Sequence, residues 1–324
     1  MVAGGDLGNL ARHQRGHGDP THRRVGEVWW RASSTPEGPV LVRFVPVGRG
    51  ASTTSDEVEV TAWGEGSAWA LGQVPRLLGV HDRLDRIAED HPLRTHPVVG
   101  PLARRLVRPL GRSDLVAEAL APTILEQEVT GAEAFAGIRR LVRRYGTPAP
   151  GPAGVADHPA AGMVCTLTAE QWLAVPSWEF VRAGIEPRRG QILQATVARA
   201  GALQRIVDRA DESGSQTGEV VGQLLDRALR SLLGIGPWTS ARVRQAVVGD
   251  PDAWSEDDYH VPGFITFALT GVRSSVQPGD SSEALRLLAP FVGHRFRVEQ
   301  VLAAGSQRPE RRGPRRSLPT HFPG

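Results

Sequence analysis

The chain reads Leu233-Gly234-Ile235-Gly236-Pro237-Trp238-Thr239-Ser240 between two segments whose apolar residues recur at helical spacing. Two glycines allow backbone angles that other residues resist, and Pro237 suits the first turn of a helix. We therefore predict a helix, a tight turn and a second helix. Such a turn leaves backbone N–H groups at a helix N-terminus, where a phosphate can bind. Because Gly-x-Gly alone is a weak signal, an ordinary helix–helix turn is the alternative.

An acidic pair, Asp257-Asp258, follows the second predicted helix and precedes Tyr259-His260. A carboxylate at this place could take part in catalysis, and the alternative is a solvated acidic start of the next helix. We expect Asp257 to point away from a site and to cap the helix that follows.

Composition limits the classes of protein that this chain can be. Its 324 residues suffice for two domains, and no uninterrupted apolar run reaches membrane-spanning length. The one cysteine, Cys165, excludes an internal disulfide framework and a four-cysteine iron–sulfur cluster. We expect a cytoplasmic protein, associated with the nucleoid in a prokaryote, that makes no contact with a membrane.

All 38 basic residues are arginine, so the chain has no side-chain amine that could form a Schiff base. The formal net charge of +3 and the sequence pI of about 9.9 are compatible with nucleic-acid binding but are shared by many enzymes.

The sequence pattern predicts an α+β protein. Residues 1–25 lack periodicity and are interpreted as a disordered tail, whereas residues 26–82 alternate in the manner of strands and end in a helix. We expect this small antiparallel sheet domain to be built around Trp29, Trp30, Trp63 and Trp69, although a binding platform is the alternative. Residues 83–304 are helical, and residues 305–324 form an Arg/Pro-rich tail that is either solvated or adds phosphate contacts.

Three motifs in this order resemble the helix-hairpin-helix DNA glycosylase superfamily, and within it the 3-methyladenine DNA glycosylase II group. The first is Ile124-Leu125-Glu126-Gln127-Glu128-Val129-Thr130, and the second is Gly184-Ile185-Glu186-Pro187-Arg188-Arg189-Gly190. The third is the Gly-x-Gly stretch followed by Asp257-Asp258-Tyr259. The match covers about residues 110–300, and it identifies the helical region as a helix-hairpin-helix glycosylase domain.

The resemblance implies an enzyme that flips a damaged base out of duplex DNA into a pocket and hydrolyses its N-glycosidic bond. Asp258 matches the family's catalytic aspartate, which would stabilise the positive charge that develops on the sugar. The implied DNA contacts come from all three motifs: Gly234, Gly236, Thr239, Gln127, Glu128 and Arg188. Glu128 stands at the position of the wedge residue, which is often apolar in the family, so its role as a wedge stays open.

The implied base pocket contains Trp238, Arg242 and His294. A tryptophan face attracts the positive charge of an alkylated purine. The family more often has an aromatic residue at position 242 and a Trp-Arg pair at 294–295, so the pocket is less aromatic here. The alternatives are that Trp238 only packs behind the hairpin and that His294 is a partly buried surface residue.

Subfamilies that also cut the strand carry a lysine where this chain has Trp238, so we expect a monofunctional glycosylase. No cofactor or metal is expected, except a monovalent cation that the hairpin carbonyls could hold. The expected partner is damaged double-stranded DNA, bound by a monomer. A catalytically weak DNA-binding protein is the main alternative, while the iron–sulfur branch is opposed by the single cysteine and the missing lysine.

Overall fold

The computed structural model describes residues 1–3, 5–47, 57–212, 218–273 and 277–308. These residues form two compact units, of which the first comprises residues 1–82 and 111–205. The second comprises residues 83–110 and the described residues from 206 onward. The predicted boundaries of 26–82 and 83–304 differ from this division, because residues 111–205 belong to the same unit as the sheet.

The first unit contains the sheet, which is five-stranded and antiparallel in the described residues. The strands are β1 (Val2–Ala3), β2 (His22–Val25), β3 (Val28–Thr35), β4 (Gly38–Val47) and β5 (Glu57–Trp63). Their order across the sheet is β1-β5-β4-β3-β2. The predicted α+β class is confirmed.

Helices make up most of the remaining described chain. In chain order they are α1 (Gly8–Ala11), α2 (Ser67–Leu77), α3 (Pro92–Thr95), α4 (Val99–Leu106), α5 (Val116–Leu125), α6 (Gly131–Tyr145), α7 (Ala169–Ala174), α8 (Ser177–Arg182), α9 (Pro187–Val197), α10 (Ala200–Glu212), α11 (Gly218–Arg230), α12 (Pro237–Val247), α13 (Val261–Thr270), α14 (Ser282–Leu288) and α15 (Arg295–Gly305). None of the helices in the described ranges has the length and apolar character that a membrane crossing requires.

Side chains of β3 point alternately to the two faces of the sheet, and each face has its own apolar core. Trp29 pairs with Phe44 across the β3–β4 hairpin, and both are buried against α2. The next residue, Trp30, points to the other face, where it packs with Leu41 and Cys165. The expected aromatic core is therefore present, with Trp63 and Trp69 partly buried at its edges.

The predicted disordered tail of residues 1–25 is wrong for its described residues, which form β1, α1 and β2. Leu7 and Leu10 of this segment are buried in the core beside α2. Its polar residues are buried too: the Asp19 carboxylate accepts the N–H and the hydroxyl of Thr21 at 2.8 and 2.7 Å. The segment shows no apolar periodicity because much of what it buries is polar.

The second unit has its own apolar core. Residues of α4, α13, α14 and α15 pack around Trp254, Ile265 and Phe291, which are each at most 2 % exposed. Of the predicted Arg/Pro-rich tail, residues 309–324 lie outside the described residues. This unit also contains the Gly-x-Gly stretch and the acidic pair, so it positions the candidate catalytic residue.

Candidate functional site

The predicted helix–turn–helix is present as α11, a short turn and α12. Leu225 and Leu229 of α11 are buried, as are Ile235 in the turn and Val243 in α12. Gly234 has a φ of +82°, a left-handed conformation that favours glycine. The two helices are thus held together by apolar packing across a turn that depends on this glycine.

The tip of this hairpin is open to solvent. Leu233 is 93 % exposed, and a Cβ built on Gly236 would meet no atom within 4 Å. Pro237 begins α12, and the backbone N–H groups in the first turn of a helix point toward its N-terminus. This exposure is compatible with the predicted phosphate contact of Gly234 and Gly236, which stays a prediction.

Thr239, which is also predicted to contact DNA, is a buried residue of α12. Thr239 is only 2 % exposed, so its hydroxyl does not face a ligand at the surface. Thr239 lies in the first turn of α12, and its contact with DNA stays a prediction.

The Asp258 carboxylate is bound on both of its oxygens. Oδ1 accepts the backbone N–H groups of His260 and Val261 at 2.8 and 3.0 Å, at the beginning of α13. Oδ2 accepts the indole N–H of Trp238 at 2.9 Å. A helix N-terminus favours a negative charge, so these contacts hold Asp258 as an oriented carboxylate.

Asp257 does not cap the following helix, which corrects the sequence-based expectation. The side chain that accepts N–H groups at the start of α13 is that of Asp258. Asp257 is exposed, has a φ of +59°, and donates its own N–H to Ser281 Oγ at 2.8 Å. The turn at Asp257 therefore fixes the backbone next to Asp258.

The structure brings Trp238 and Asp258 together. The other two predicted pocket residues, Arg242 and His294, lie in the same unit and make other contacts. Arg242 lies one helical turn after Trp238 and donates to Gln245 Oε1 at 3.2 Å. His294 stands at the start of α15, where its Nδ1 accepts from Arg297 at 3.2 Å and its ring stacks edge-on against His91. A role of Arg242 or His294 in a base pocket stays a prediction.

The predicted DNA-contact loop, which we define as residues 126–130, follows α5 in the first unit. Glu128 is exposed and has a φ of +57°, so it projects from a left-handed turn, and Gln127 beside it is half-buried. Arg188 is exposed in the first turn of α9. Exposure fits the predicted roles of Glu128 and Arg188, and their contact with DNA stays a prediction.

Two arginines that sequence reasoning did not select hold this loop in place. Arg189 is 8 % exposed and donates to the carbonyl of Leu125 at 2.8 Å, and burial lowers the pKa of its guanidinium. Arg15 forms an ion pair with Glu126 at 2.8 Å. Local sequence gives no signal for either contact, because the partners are distant along the chain.

We compared the sequence and the fold with those of known proteins. The sequence matches no protein-family model and no curated protein. Among solved structures it is similar to the 3-methyladenine DNA-glycosylase from Archaeoglobus fulgidus, with 15 % identity, a TM-score of 0.65, and coverage of 94 % of this chain and 96 % of that one.

Two further structures are similar over comparable lengths. One is the 8-oxoguanine glycosylase/lyase of Clostridium acetobutylicum in complex with double-stranded DNA, with 13 % identity, a TM-score of 0.61, and coverage of 93 % and 91 %. The other is MBOgg1 in complex with a low-affinity DNA ligand, with 12 % identity, a TM-score of 0.63 and the same coverage. Likenesses at this level of identity concern the fold, and they confirm the resemblance noted in the sequence: the chain has the fold of the helix-hairpin-helix DNA glycosylases.

Proposed function

We propose that the protein is a DNA glycosylase of base-excision repair that removes alkylated bases from duplex DNA without cutting the strand. One observation carries the proposal: Asp258 is held as an oriented carboxylate next to the exposed hairpin. The similar structures include a 3-methyladenine DNA-glycosylase and glycosylase/lyases, so DNA glycosylase chemistry is the activity that their names share.

In the proposed reaction the hairpin binds the DNA backbone while the damaged nucleotide is turned out of the stack. Cleavage of the N-glycosidic bond leaves positive charge on the sugar, which a fixed carboxylate at Asp258 stabilises. The same carboxylate can orient the attacking water, whose proton is then released to it or to solvent. Trp238 and the N-terminus of α13 keep the carboxylate aligned during the reaction.

The absence of strand cutting follows from the chemistry of the side chains. A glycosylase/lyase forms a Schiff base between an amine and the sugar before β-elimination. The chain contains no lysine, and position 238 is occupied by an indole. The expected product is therefore an intact strand with an abasic site.

Alkylated bases are the proposed substrate class because they carry positive charge and leave readily. The half-buried ring of Trp238 offers a π face to such a cation. An unalkylated base would need an acid to protonate it as it leaves. The groups bound to Asp258 are two backbone N–H groups and an indole N–H, and none of these is such an acid.

The test is release of free bases from a panel of duplexes that carry 3-methyladenine, 7-methylguanine, hypoxanthine or 8-oxoguanine. We expect release of the methylated purines, and strand breaks only after heat and alkali. Asp258→Asn should abolish release while DNA binding is retained. Strand cutting without alkali would contradict the monofunctional assignment, and full activity of Asp258→Asn would remove Asp258 from the mechanism.

A second candidate function is DNA binding without catalysis, because both oxygens of Asp258 already accept hydrogen bonds within the protein. In that case Asp258 serves only to cap α13 and join it to α12. Salt-sensitive binding to duplex DNA with no release of any base in the panel would favour this function.

A further inference from the structure

One face of α12 holds the chain segment that precedes Asp258. Trp238, Arg242 and Gln245 are spaced i, i+4 and i+7, so they lie on the same side of the helix. Trp238 binds the Asp258 side chain, and Gln245 Nε2 donates to the carbonyl of Ala253 at 2.6 Å. Segment 253–258 is therefore held by two residues of α12, Trp238 in its first turn and Gln245 near its end.

Glu299 of α15 binds the same segment at Ser255. Its carboxylate accepts the backbone N–H of Ser255 at 2.7 Å and the Ser255 hydroxyl at 2.9 Å. The carbonyl of Ser255 in turn accepts the N–H of Asp258 at 3.3 Å. A single residue, Ser255, thus connects Glu299 to the backbone from which Asp258 projects.

Stability does not explain why an acid occupies this place. Glu299 is 6 % exposed, and in the described part of the chain both hydrogen bonds to its carboxylate come from Ser255, with no salt bridge beside them. A buried carboxylate without an ion-pair partner costs folding free energy. A glutamine amide could accept the Ser255 N–H without that cost, so the need for an acceptor explains the position but not the acid.

The charges around Glu299 come from α12 and from the segment itself. Burial raises the pKa of Glu299 to about 7, the bonds from Ser255 and the Arg242 guanidinium lower it, and the negative charge of Asp258 raises it. Glu299 therefore changes charge near neutral pH. In the ionised form its bonds to Ser255 are charge-assisted, and hence shorter and stronger.

We propose that Glu299 is a positioning residue for Asp258, which it fixes in place through Ser255. The inference rests on the proposed function, since it takes Asp258 as the catalytic carboxylate. Glu299 itself is too buried to touch the sugar: its ionised form anchors Ser255 most firmly and adds a second negative charge that interacts with Asp258. Both effects favour a transition state with positive charge on the sugar.

The test compares the full-length protein with Glu299→Gln on duplex DNA methylated with dimethyl sulfate, under single-turnover conditions from pH 5.5 to 8.5. Glutamine keeps the shape and can accept the Ser255 N–H, but it carries no charge. We expect the wild-type rate to rise through about pH 7, and the variant to be about tenfold slower at pH 8. The pH-dependent rise should be absent from the variant, and the Kd for DNA should be unchanged.

The melting temperature and a matched variant distinguish a positioning role of Glu299 from a general loss of folding. Because Glu299→Gln removes a buried charge, its melting temperature at pH 8 should equal or exceed that of the wild type. Glu179→Gln, which changes another buried glutamate in the first unit, should leave the pH profile of the rate as in the wild type.

Three results would overturn the proposal. The first is a wild-type rate and pH profile in Glu299→Gln, and the second is a loss of rate that parallels a loss of melting temperature. The third is a wild-type protein that releases no methylated purine, which overturns the proposed function itself and the role of Glu299 with it. Only the third outcome is visible without any variant, so the two failures can be told apart.

Discussion

The indole N–H of Trp238 donates a 2.9 Å hydrogen bond to Oδ2 of Asp258, and this bond joins the hairpin to the candidate catalytic carboxylate. Trp238 is the second residue of α12, whereas Asp258 stands just before α13. Movement of the hairpin on binding DNA would therefore shift the position of the Asp258 carboxylate. The alternative that Trp238 only packs behind the hairpin does not account for this contact.

Replacing Trp238 by phenylalanine should slow base release while DNA binding is kept. The variant retains an aromatic face but loses the donor to Oδ2. A hydrogen bond to a charged group contributes about 1.5–3 kcal/mol, which corresponds to roughly a tenfold to hundredfold loss of rate. The measurement is single-turnover release of methylpurines.

Trp30→Phe is the control for this change. Trp30 lies in the first unit and is buried, and its Nε1 has no hydrogen-bond partner among the described residues. Its rate of release should equal that of the wild type. Equal rates for Trp238→Phe and the wild type would mean that the indole N–H has no part in the reaction.

Gly236→Ala should weaken DNA binding without affecting folding. The new Cβ meets no protein atom within 4 Å, but it would stand where a phosphate is expected to approach. We expect Kd for duplex DNA to rise about tenfold, the loss of roughly one good hydrogen bond to a charged group. Gly72→Ala, whose Cβ also meets nothing, should change neither affinity nor activity.

Gly234→Ala should lower the stability of the protein, which Gly236→Ala should not. Position 234 has a φ of +82°, so alanine there costs about 1–2 kcal/mol of folding free energy. The expected result is a lower melting temperature for Gly234→Ala alone. A similar loss of stability in both variants would show that the hairpin tip is less open than its geometry indicates.

Replacing Arg189 should lower stability, whereas replacing its neighbour Arg188 should weaken only DNA binding. Arg189→Met leaves the Leu125 carbonyl without its buried donor, so the free energy of unfolding should fall by about 1–3 kcal/mol. Arg188→Met should leave stability unchanged, because the side chain is exposed. If Arg188 contacts a phosphate, the slope of log Kd against log salt should decrease by about one.

These measurements need urea unfolding for both variants and DNA titrations at several salt concentrations. A salt slope equal to that of the wild type in Arg188→Met would remove this residue from the DNA interface. A stable Arg189→Met protein would show that the loop after α5 does not depend on the buried guanidinium.

The first unit should lose stability as the pH falls from about 6.5 to 4. Burial lowers the pKa of His22 to about 4, although the Asp19 carboxylate opposes this, and burial lowers the pKa of His13 as well. Below pH 6.5 the unfolded chain binds protons that the folded chain excludes, so stability decreases as pH decreases. For His22 alone the loss reaches about 3 kcal/mol near pH 4.

The check is chemical unfolding at pH 7 and pH 5 for the wild type and His22→Gln. The variant should show a smaller difference between the two pH values. His81→Gln, which changes an exposed histidine of the same unit, should keep the wild-type difference. A pH dependence that is unaltered in His22→Gln would assign the effect to other groups.

The hairpin could be predicted from sequence because its determinants are local. Gly234, Gly236 and Pro237 punctuate two apolar helices within a few residues, and each acts through backbone geometry. The strand pair around the turn before Gly38 was predictable for the same reason.

What the sequence did not reveal depends on long-range polar contacts. Arg31 pairs with Glu118, and Arg15 with Glu126, so the N-terminal segment and its surroundings are stabilised by partners that lie far away in the chain. A pattern of apolar residues carries no information about such pairs. Glu299 and Ser255 are a similar case, because their contact spans 44 residues.

The left-handed backbone of Glu128 restricts which residues a variant library could place at the tip of its loop. A φ of +57° is costly for β-branched side chains and more tolerable for asparagine, aspartate or glycine. Valine or isoleucine, otherwise suitable as apolar wedges, would therefore strain the turn before meeting DNA. Engineering of lesion choice at this position should begin with unbranched residues.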